Sequence, residues 1–397
     1  MNIYIREVSR HLSHLGVAVD VFTRRQDPAA PDIVPFAEHA RVVHVTAGPE
    51  RYLPKEAVVE YLPEFICNMR EFIADEESHY DIVHSHYWLS GRVAGYFKNA
   101  WHVPMVAMFH TLSELKNQVT ISPDEWESDI RAGIERLTVA TADRLIASTP
   151  VDGAHLEDHY GADGERVSIV PCGVDSTQFH PGSRSAALQA LGLDDRRLVL
   201  FVGRIQQLKG IDVLIRSAAM LAGREQSGAV PPFTVAIVGG RPSSADDDPE
   251  AREIRRLRHI AEELGVTDHI QWMGAVDHEA LPAYYQAADV TVMPSTYESF
   301  GLVAVESMAC GTPVVAARVG GLQETVQDGE TGFLIPLRDP AHYAQRIEQI
   351  LTQPELRSRL SLRARARARQ FSWEHVAKQL VDLYHSLRRE PALASLT

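Results

Sequence analysis

Two basic side chains follow a short apolar segment in the second half of the chain and could neutralise a phosphate group. Arg204 comes directly after Gly203, which ends the segment, and Lys209 follows in the same short loop. In an open α/β sheet, ligands bind beyond the carboxyl ends of the strands. Arginine would grip a diphosphate through its planar fork, and lysine would act on it as a point charge. The alternative is a solvated loop with two ordinary cations, and this motif alone leaves both interpretations open.

A second motif, which contains Glu298, Ser299 and Gly301, connects an apolar segment to a helical pattern. Ser299 and Gly301 would make the start of this helix compact, where unpaired amides and the positive end of the dipole favour phosphate. Glu306, further along the helix, could accept hydrogen bonds from ribose hydroxyls, and Glu298 could hold the hydroxyls of a sugar. The alternatives are an N-terminal helix acid favoured by the dipole for Glu298 and a buried carboxylate bonded to protein for Glu306.

These residues need a scaffold of alternating strands and helices, and the apolar periodicity predicts one in each half. The first half predicts strands at residues 17–22, 42–45, 81–84, 103–109, 144–147 and 167–170, with helices at 55–74, 91–98 and 125–141. The second half predicts strands at residues 198–202, 234–238, 269–272, 290–294 and 314–316, and a final helix at 372–388. This alternation predicts parallel sheets covered by helices on both faces.

The start of the chain departs from this scheme, because residues 1–15 predict a helix rather than a strand. A doubly wound domain normally begins with a central strand whose end carries a ligand-binding turn. We interpret Met1 as an internal methionine of a domain that lacks its first strand, and the alternative is a genuinely shortened domain.

Composition limits the kinds of partner. The chain has 397 residues and a formal net charge of −14, which argues against broad binding to nucleic acid or to an anionic membrane. No apolar segment reaches transmembrane length, and we expect a cytoplasmic protein. The arginine-rich residues 357–369 and the run Asp246-Asp247-Asp248 are interpreted as solvated faces. Three distant cysteines indicate neither disulfides nor zinc, which fits a reducing compartment; they are Cys67, Cys172 and Cys310.

Together these segments resemble the retaining nucleotide-sugar glycosyltransferases of family GT4, which have the GT-B fold. The matching strings are Phe201-Val202-Gly203-Arg204, Lys209-Gly210, Glu298-Ser299-Phe300-Gly301 with Glu306, Gly311-Thr312-Pro313, Val319-Gly320-Gly321 and Asp328-Gly329-Glu330-Thr331-Gly332. The resemblance implies an α/β protein with two Rossmann-like domains facing a cleft. Residues 1–173 would bind the acceptor, residues 174–371 would bind the donor, and a helix at 372–390 would cross back to the first domain.

The resemblance also implies roles for individual residues. Arg204 and Lys209 would neutralise the leaving diphosphate, Glu306 would hold the ribose, and Glu298 would hold the donor sugar. The further donor-binding residues would be Gly239, Met273, Ser299, Phe300, Gly301 and Leu302. His110 would join Arg204, Lys209 and Glu298 as a catalytic residue. The nucleotide sugar would be a co-substrate, and neither a metal nor another cofactor is expected.

The first half resembles the GT4 branch that glycosylates inositol phosphate in mycothiol biosynthesis. The segments at residues 84–91 and 109–112 carry this resemblance. It implies that the acceptor's phosphate is bound by Lys55, Tyr87, Thr111 and Arg131, and that Asn2 contacts the inositol. Two cations and two hydroxyl groups can satisfy a phosphate dianion. Each of these residues also has an ordinary structural interpretation when taken alone. His84 and His86 are interpreted as packing residues rather than metal ligands.

The expected reaction moves a sugar, N-acetylglucosamine by the resemblance, from a nucleotide diphosphate such as UDP to an inositol phosphate. One alternative is a related GT4 transferase with another acceptor, such as a sucrose-phosphate synthase. The other is an inactive nucleotide-sugar-binding protein, which the absent first strand favours and the intact donor residues oppose. A two-carboxylate glycosidase fits poorly, because Glu298 and Glu306 do not occupy opposed positions. We expect no membrane span and no nucleic-acid partner, and the sequence leaves a homodimer open.

Overall fold

A computed structural model describes residues 1–120, 126–240 and 248–388, which form two compact units. The first unit comprises residues 1–118, 126–171 and 373–388, and the second comprises residues 119–120, 172–240 and 248–372. The sequence pattern predicted divisions after residues 173 and 371, and the compact units divide after Pro171 and after Ser372.

The strands described in the first unit lie in two sheets. Strands β1 (Val19–Arg24), β2 (Ile33–Ala37) and β3 (Ala40–Val45) form one sheet in the order β1-β3-β2. Strands β4 (Val83–His86), β5 (Met105–Met108), β6 (Arg144–Ala147) and β7 (Val167–Ile169) form a parallel sheet in chain order. The expectation of purely parallel pairing is wrong at β2, which pairs with β3 in the antiparallel direction. Pro35 weakened the strand pattern there, but β2 is an edge strand, where proline is tolerated.

The helices described in the first unit cover these sheets. They are α1 (Asn2–His14), α2 (Lys55–Val58), α3 (Leu62–Asp75), α4 (Trp88–Trp101), α5 (Ser113–Val119), α6 (Asp129–Thr141), α7 (Pro150–Tyr160) and α16 (Trp373–Leu387). The single helix expected at residues 55–74 is wrong, because a 3₁₀ turn at Val59–Tyr61 separates α2 from α3. Pro63 lies in the first turn of α3, where its missing N–H is tolerated, whereas within a continuous helix it would remove a hydrogen bond.

Helix α16 belongs to the first unit although it follows the second unit in the chain. The Trp373 ring packs edge-on against Tyr4 of α1, with 5.4 Å between the ring centroids. Further along α16, the Tyr384 hydroxyl lies 2.7 Å from Nδ1 of His84 in β4. The helix therefore completes the apolar interior of this unit.

The second unit is built on a parallel sheet whose described strands follow the order β10-β9-β8-β11-β12-β13. These strands are β8 (Arg197–Val202), β9 (Phe233–Val238), β10 (Ile270–Gly274), β11 (Val290–Met293), β12 (Val314–Ala317) and β13 (Gly332–Ile335). The chain proceeds outwards from β8 to β9 and β10, and then returns to place β11 on the other side of β8. The carboxyl ends of β8 and β11 thus form a topological switch point, where ligands bind in sheets of this kind.

The helices described in the second unit are α8 (Arg184–Leu191), α9 (Ile211–Gln226), α10 (Pro249–Glu263), α11 (Leu281–Ala287), α12 (Leu302–Ala309), α13 (Leu322–Thr325), α14 (Pro340–Thr352) and α15 (Pro354–Ala368). The run of acidic residues before α10 falls mostly outside the described chain, since Asp246 and Asp247 are not among the described residues. Asp248 caps α10, and its side chain accepts a hydrogen bond from the backbone N–H of Glu250 over 3.0 Å. Among the described residues, none of the helices combines the length and apolar character needed to cross a membrane.

Candidate functional site

A pocket with about 580 Å³ of empty volume lies at the switch point of the second unit. Its lining residues come from the ends of β8 and β11 and from the start of α12; they are Phe201, Val202, Gly203, Arg204, Lys209, Met293, Ser295, Glu298, Gly301, Leu302 and Val303. The structure therefore brings together five of the expected donor-site residues, namely Arg204, Lys209, Glu298, Gly301 and Leu302.

An ion pair joins the two loops that border this pocket. Nζ of Lys209 donates a hydrogen bond to Oε2 of Glu298 over 2.6 Å, and both side chains are about four-fifths buried, with exposed fractions of 17% and 19%. The loops are also joined through the backbone, since the N–H of Thr296 donates to the carbonyl of Leu208 over 2.8 Å. The two charged groups are thus held in place by the fold.

Two glycines allow these loops to pack closely. A Cβ atom at Gly210 would lie 2.1 Å from the carbonyl oxygen of Pro294, and one at Gly320 would lie 2.1 Å from the carbonyl oxygen of Glu298. Both glycines also have a positive φ, +65° and +44°, which side chains with a Cβ rarely adopt. The Val319-Gly320-Gly321 motif therefore supports the turn that carries Glu298.

The pocket presents positive charge to an anion from several directions. Helix α12 begins after Gly301, and within the described residues no side chain caps its first turn. Its unpaired amides and dipole favour a phosphate at this end. Arg204 is exposed at the rim and forms no ion pair with any described carboxylate, so its guanidinium is available to a ligand. This arrangement can neutralise a diphosphate.

The structure places Glu306 away from the pocket lining. Its Oε1 lies 2.9 Å from Nε2 of His278, and its Oε2 accepts a hydrogen bond from the Tyr285 hydroxyl over 2.8 Å. Burial, reinforced by the charge of Glu306, raises the pKa of Tyr285 well above its usual value. This geometry corresponds to the buried-carboxylate interpretation of Glu306, and its contact with a ribose stays a prediction. The roles of four expected donor residues outside the lining also stay predictions; they are Gly239, Met273, Ser299 and Phe300.

A buried arginine organises the expected acceptor site in the first unit. The Arg131 side chain is 1% exposed and donates to the Tyr87 hydroxyl over 2.9 Å and to Oγ1 of Thr111 over 3.1 Å. Its Nε also donates to Oε1 of Glu135 over 2.7 Å. Burial would lower the pKa of Arg131, but the charges of Glu135, Tyr87 and Glu127 raise it above its usual value. The guanidinium is therefore fully protonated where it contacts the two hydroxyl groups.

Two lysines complete this cluster. Nζ of Lys55 and Nζ of Lys116 both donate hydrogen bonds to the Glu127 carboxylate, which also lies 2.9 Å from NH1 of Arg131. The structure thus brings the four expected phosphate-binding residues, Lys55, Tyr87, Thr111 and Arg131, into one cluster. Asn2 is exposed at the start of α1 and forms no hydrogen bond with the described members of this cluster, so its inositol contact stays a prediction.

Lys116 and Glu127 belong to this cluster although the sequence pattern did not predict them as site residues. Lys116 lies on α5, four residues after the 109–112 segment that carried the resemblance, and Glu127 precedes Arg131 by four residues. A carboxylate and an arginine four residues apart are a recognisable signal for an ion pair. That pattern could have identified Glu127, although only the fold shows that it also meets the lysines.

His110 lies in the first unit, partly buried and with its backbone in the left-handed region, at a φ of +63°. Its Nε2 lies 3.1 Å from Nδ1 of His86, and its ring packs edge-on against Tyr4 at 5.1 Å between centroids. Burial lowers the pKa of His110 to about 3, so the imidazole is neutral near pH 7 and can act there as a hydrogen-bonding group. No three His, Cys, Asp or Glu side chains are grouped as metal ligands within the described ranges. The catalytic role of His110 stays a prediction.

A pocket with cationic side chains at the switch point of one Rossmann-like unit, in a chain that contains a second such unit, fits a glycosyltransferase of the GT-B fold. Residues 183–367 match the family model described as glycosyl transferases group 1, and residues 1–178 match the model of glycosyltransferase family 4. Relatives with more than 40% identity match nearly the whole chain. The chain belongs to glycosyltransferase family 4.

The relatives share most of their length with this chain. It is 44% identical over 397 residues to a D-inositol 3-phosphate glycosyltransferase of Geodermatophilus obscurus, covering 100% of this chain and 86% of the relative. A second relative with the same name, from Thermobifida fusca, is 43% identical and is covered over 88% of its length, against 97% of this chain. The solved structure of sucrose-phosphate synthase from Thermosynechococcus elongatus has 35% identity and a TM-score of 0.87, covering 97% of this chain and 93% of that one. Family membership favours an enzyme over an inactive nucleotide-sugar-binding protein.

Proposed function

We propose that this glycosyltransferase moves N-acetylglucosamine from UDP to an inositol phosphate, with retention at the anomeric carbon. The observation that carries the proposal is the cluster around Arg131, whose guanidinium bonds two hydroxyl groups and meets the Glu127 carboxylate together with two lysines. Such a cluster fits a phosphate dianion better than an uncharged acceptor. The names of the 44% and 43% identical relatives support inositol phosphate as that acceptor.

The donor would bind in the second unit with its diphosphate at the start of α12. As the bond between the anomeric carbon and the diphosphate oxygen breaks, negative charge develops on the β-phosphate. Lys209, Arg204 and the amides after Gly301 would stabilise that charge, and fixed groups of this kind often supply the largest part of catalysis. Glu298, held beside Lys209, would accept hydrogen bonds from the hydroxyls of the donor sugar.

The acceptor hydroxyl would attack from the face that the diphosphate leaves. A new bond forms between the acceptor oxygen and the anomeric carbon, and the hydroxyl proton passes to the departing phosphate oxygen. This step needs no protein base, which agrees with a neutral His110 acting as a hydrogen-bonding residue. We propose that the reaction needs no metal, because the cationic side chains and the helix end provide the neutralisation.

A second candidate is transfer to a phosphorylated sugar such as fructose 6-phosphate. The observation that favours it is the 35% identity and the TM-score of 0.87 with a sucrose-phosphate synthase. That acceptor would present the same phosphate to the Arg131 cluster, so at this site the two candidates differ in the group that carries the phosphate.

An acceptor screen distinguishes these candidates. The full chain would be incubated with UDP-, GDP- and ADP-sugars and with inositol phosphate, free inositol or fructose 6-phosphate, and nucleotide release would be measured. We expect release from UDP-N-acetylglucosamine only with inositol phosphate. Release only with fructose 6-phosphate would establish the second candidate, and equal release with free inositol would contradict a phosphate site.

A further inference from the structure

Three cations of the acceptor cluster converge on the carboxylate of Glu127. Lys55 and Lys116 each donate a hydrogen bond to it, and NH1 of Arg131 lies 2.9 Å from its Oε2. The Glu127 side chain is 2% exposed, so the carboxylate fills the space between the three cations. The anionic position of the proposed acceptor site is therefore occupied by a residue of the protein itself.

Carboxylates of the described residues pair with each cation of the cluster. Besides Glu127, the buried Glu135 pairs with Arg131 and is also bonded by Ser113 and Tyr160. Lys55 additionally lies 3.7 Å from the exposed Glu56. A phosphate dianion in the place of the Glu127 carboxylate would meet all three cations and offer them one more negative charge than the carboxylate does.

Glu127 is ionised under ordinary conditions. Burial alone would raise its pKa, but the hydrogen bonds from Lys116 and Lys55, together with the charge of Arg131, lower the pKa to about 2. The carboxylate thus acts as a permanent internal anion near pH 7. A ligand that takes its place has to offer the cations at least as much negative charge.

We propose that Lys116 is a further acceptor-binding residue and that Glu127 is an internal anion which the phosphate of the acceptor displaces. The inference rests on the proposed acceptor site and goes beyond it, because it assigns the basis of selectivity. A neutral polyol offers Lys55, Lys116 and Arg131 no negative charge in place of the carboxylate, whereas a dianion does. Glu127 therefore disfavours unphosphorylated acceptors because replacing its charge by a neutral group is unfavourable, and not because of the shape of the acceptor.

Hydrogen bonds to Asn117 hold the backbone of Glu127 in place. Glu127 precedes Ser128, the capping residue of α6, and both of its backbone polar groups are held by the side chain of Asn117. The N–H of Glu127 donates to Oδ1 of Asn117 over 2.7 Å, and Nδ2 of Asn117 donates to the Glu127 carbonyl over 3.1 Å. The backbone of Glu127 is thus held in place, and the proposed exchange concerns its side chain alone.

Binding of inorganic phosphate tests the proposal directly. Its Kd for the full chain would be measured by isothermal titration calorimetry in the wild type, in Glu127→Gln and in Lys116→Met. We expect binding about tenfold tighter in Glu127→Gln, where the competing charge is gone, and about tenfold weaker in Lys116→Met. Lys98→Met is the matched control, because Lys98 and Lys116 are both 24% exposed and Lys98 pairs instead with Asp143.

Unchanged or weaker phosphate binding in a folded Glu127→Gln protein would overturn the proposal. If that variant does not unfold cooperatively, Lys116→Met decides, and an unaltered Kd there would overturn the role of Lys116. Turnover separates this result from the proposed function. Lower KM for inositol phosphate in Glu127→Gln, with UDP binding unaltered, supports both proposals. If the phosphate affinities are as expected but no sugar is transferred, the proposed function is wrong and the displacement of Glu127 still holds.

Discussion

The ammonium of Lys209 and the carboxylate of Glu298 lie 2.6 Å apart, although they are 89 positions apart in the sequence. The strand order of the second unit brings them together, because β8 and β11 are neighbours whose carboxyl ends carry the two loops. Each group holds the other in the pocket, so a donor would meet both in defined positions. This preorganisation is what an electrostatic contribution to catalysis requires.

Lys209→Ala should lower kcat/KM for the donor by about 100- to 1,000-fold, because it removes a cation from the position where charge develops on the leaving phosphate. Steady-state nucleotide release measures the effect. Arg224→Ala is the control, since Arg224 also forms a 2.6 Å ion pair, with Glu348, but on an exposed surface outside the pocket lining. Wild-type turnover in Lys209→Ala would overturn the donor-site assignment.

Tyr87→Phe should raise KM for a phosphorylated acceptor by about tenfold and leave KM for the donor unchanged, because the variant loses a hydroxyl bonded to Arg131. Tyr96→Phe, on the helix that follows Tyr87, is the control, since the Tyr96 hydroxyl is bonded by the exposed Arg70. A donor effect of equal size would show that Tyr87 is not specific to the acceptor.

Arg131→Ala should also weaken the response to a phosphorylated acceptor. This change leaves the buried Glu135 without its cation, and we expect a loss of about 3–5 kcal/mol in the free energy of unfolding as well. The thermal midpoint should be compared with that of Tyr87→Phe, which we expect to be close to the wild type. An unchanged acceptor response in a folded Arg131→Ala protein would contradict the phosphate site.

Gly320→Ala should lower donor kcat/KM by about 100-fold, because the added methyl group would push against the carbonyl of Glu298 and shift the turn beneath the pocket. Gly329→Ala isolates the backbone strain, since Gly329 has a φ of +75° but a Cβ atom there would meet nothing within 4 Å. That control should lose about 1–2 kcal/mol of stability and retain its activity. Equal activity in both variants would show that the turn tolerates displacement.

Stability should decrease as the pH falls below 6.5, because burial holds the pKa of His84 and of His110 at about 3 and the pKa of His86 well below 6.5. The unfolded histidines take up protons near pH 6.5, whereas the folded ones do not. Their contribution is therefore complete above pH 6.5 and is lost as the pH falls towards 3, by about 1.4 kcal/mol per pH unit for each histidine.

Urea unfolding between pH 7.5 and pH 5 would measure this loss. His84→Gln should flatten the dependence by one proton, and His259→Gln should leave it unchanged, because the His259 side chain is 68% exposed. A parallel dependence in His84→Gln and the wild type would mean that His84 does not resist protonation.

The donor pocket was largely predictable because its signals are local. Arg204 and Lys209 follow β8 within a few residues, and Glu298 and Gly301 lie in the turn between β11 and α12. A parallel sheet gathers such turns at one edge. The sequence could not show where Glu306 points, because its partners His278 and Tyr285 lie in other elements and are chosen by packing.

The acceptor cluster shows the same division between local and distant information. Thr111 and Tyr87 follow strands and were identified from short segments, whereas the meeting of Lys55 with Glu127 joins positions 72 residues apart. Among the described strands, β13 (Gly332–Ile335) was missed because it begins at a glycine and only three apolar residues follow before Pro336. The conformation of such short segments depends on their neighbours in the fold, which a single sequence does not show.

Helix α16 has a consequence for the order in which the protein is made. Its Trp373 and Tyr384 supply the contacts to Tyr4 and His84 that close the first unit. The ribosome releases these residues only after the whole of the second unit has been translated. The unit that is begun first can thus be completed only after the second unit has been synthesised, and until then the apolar surface that α16 covers stays exposed.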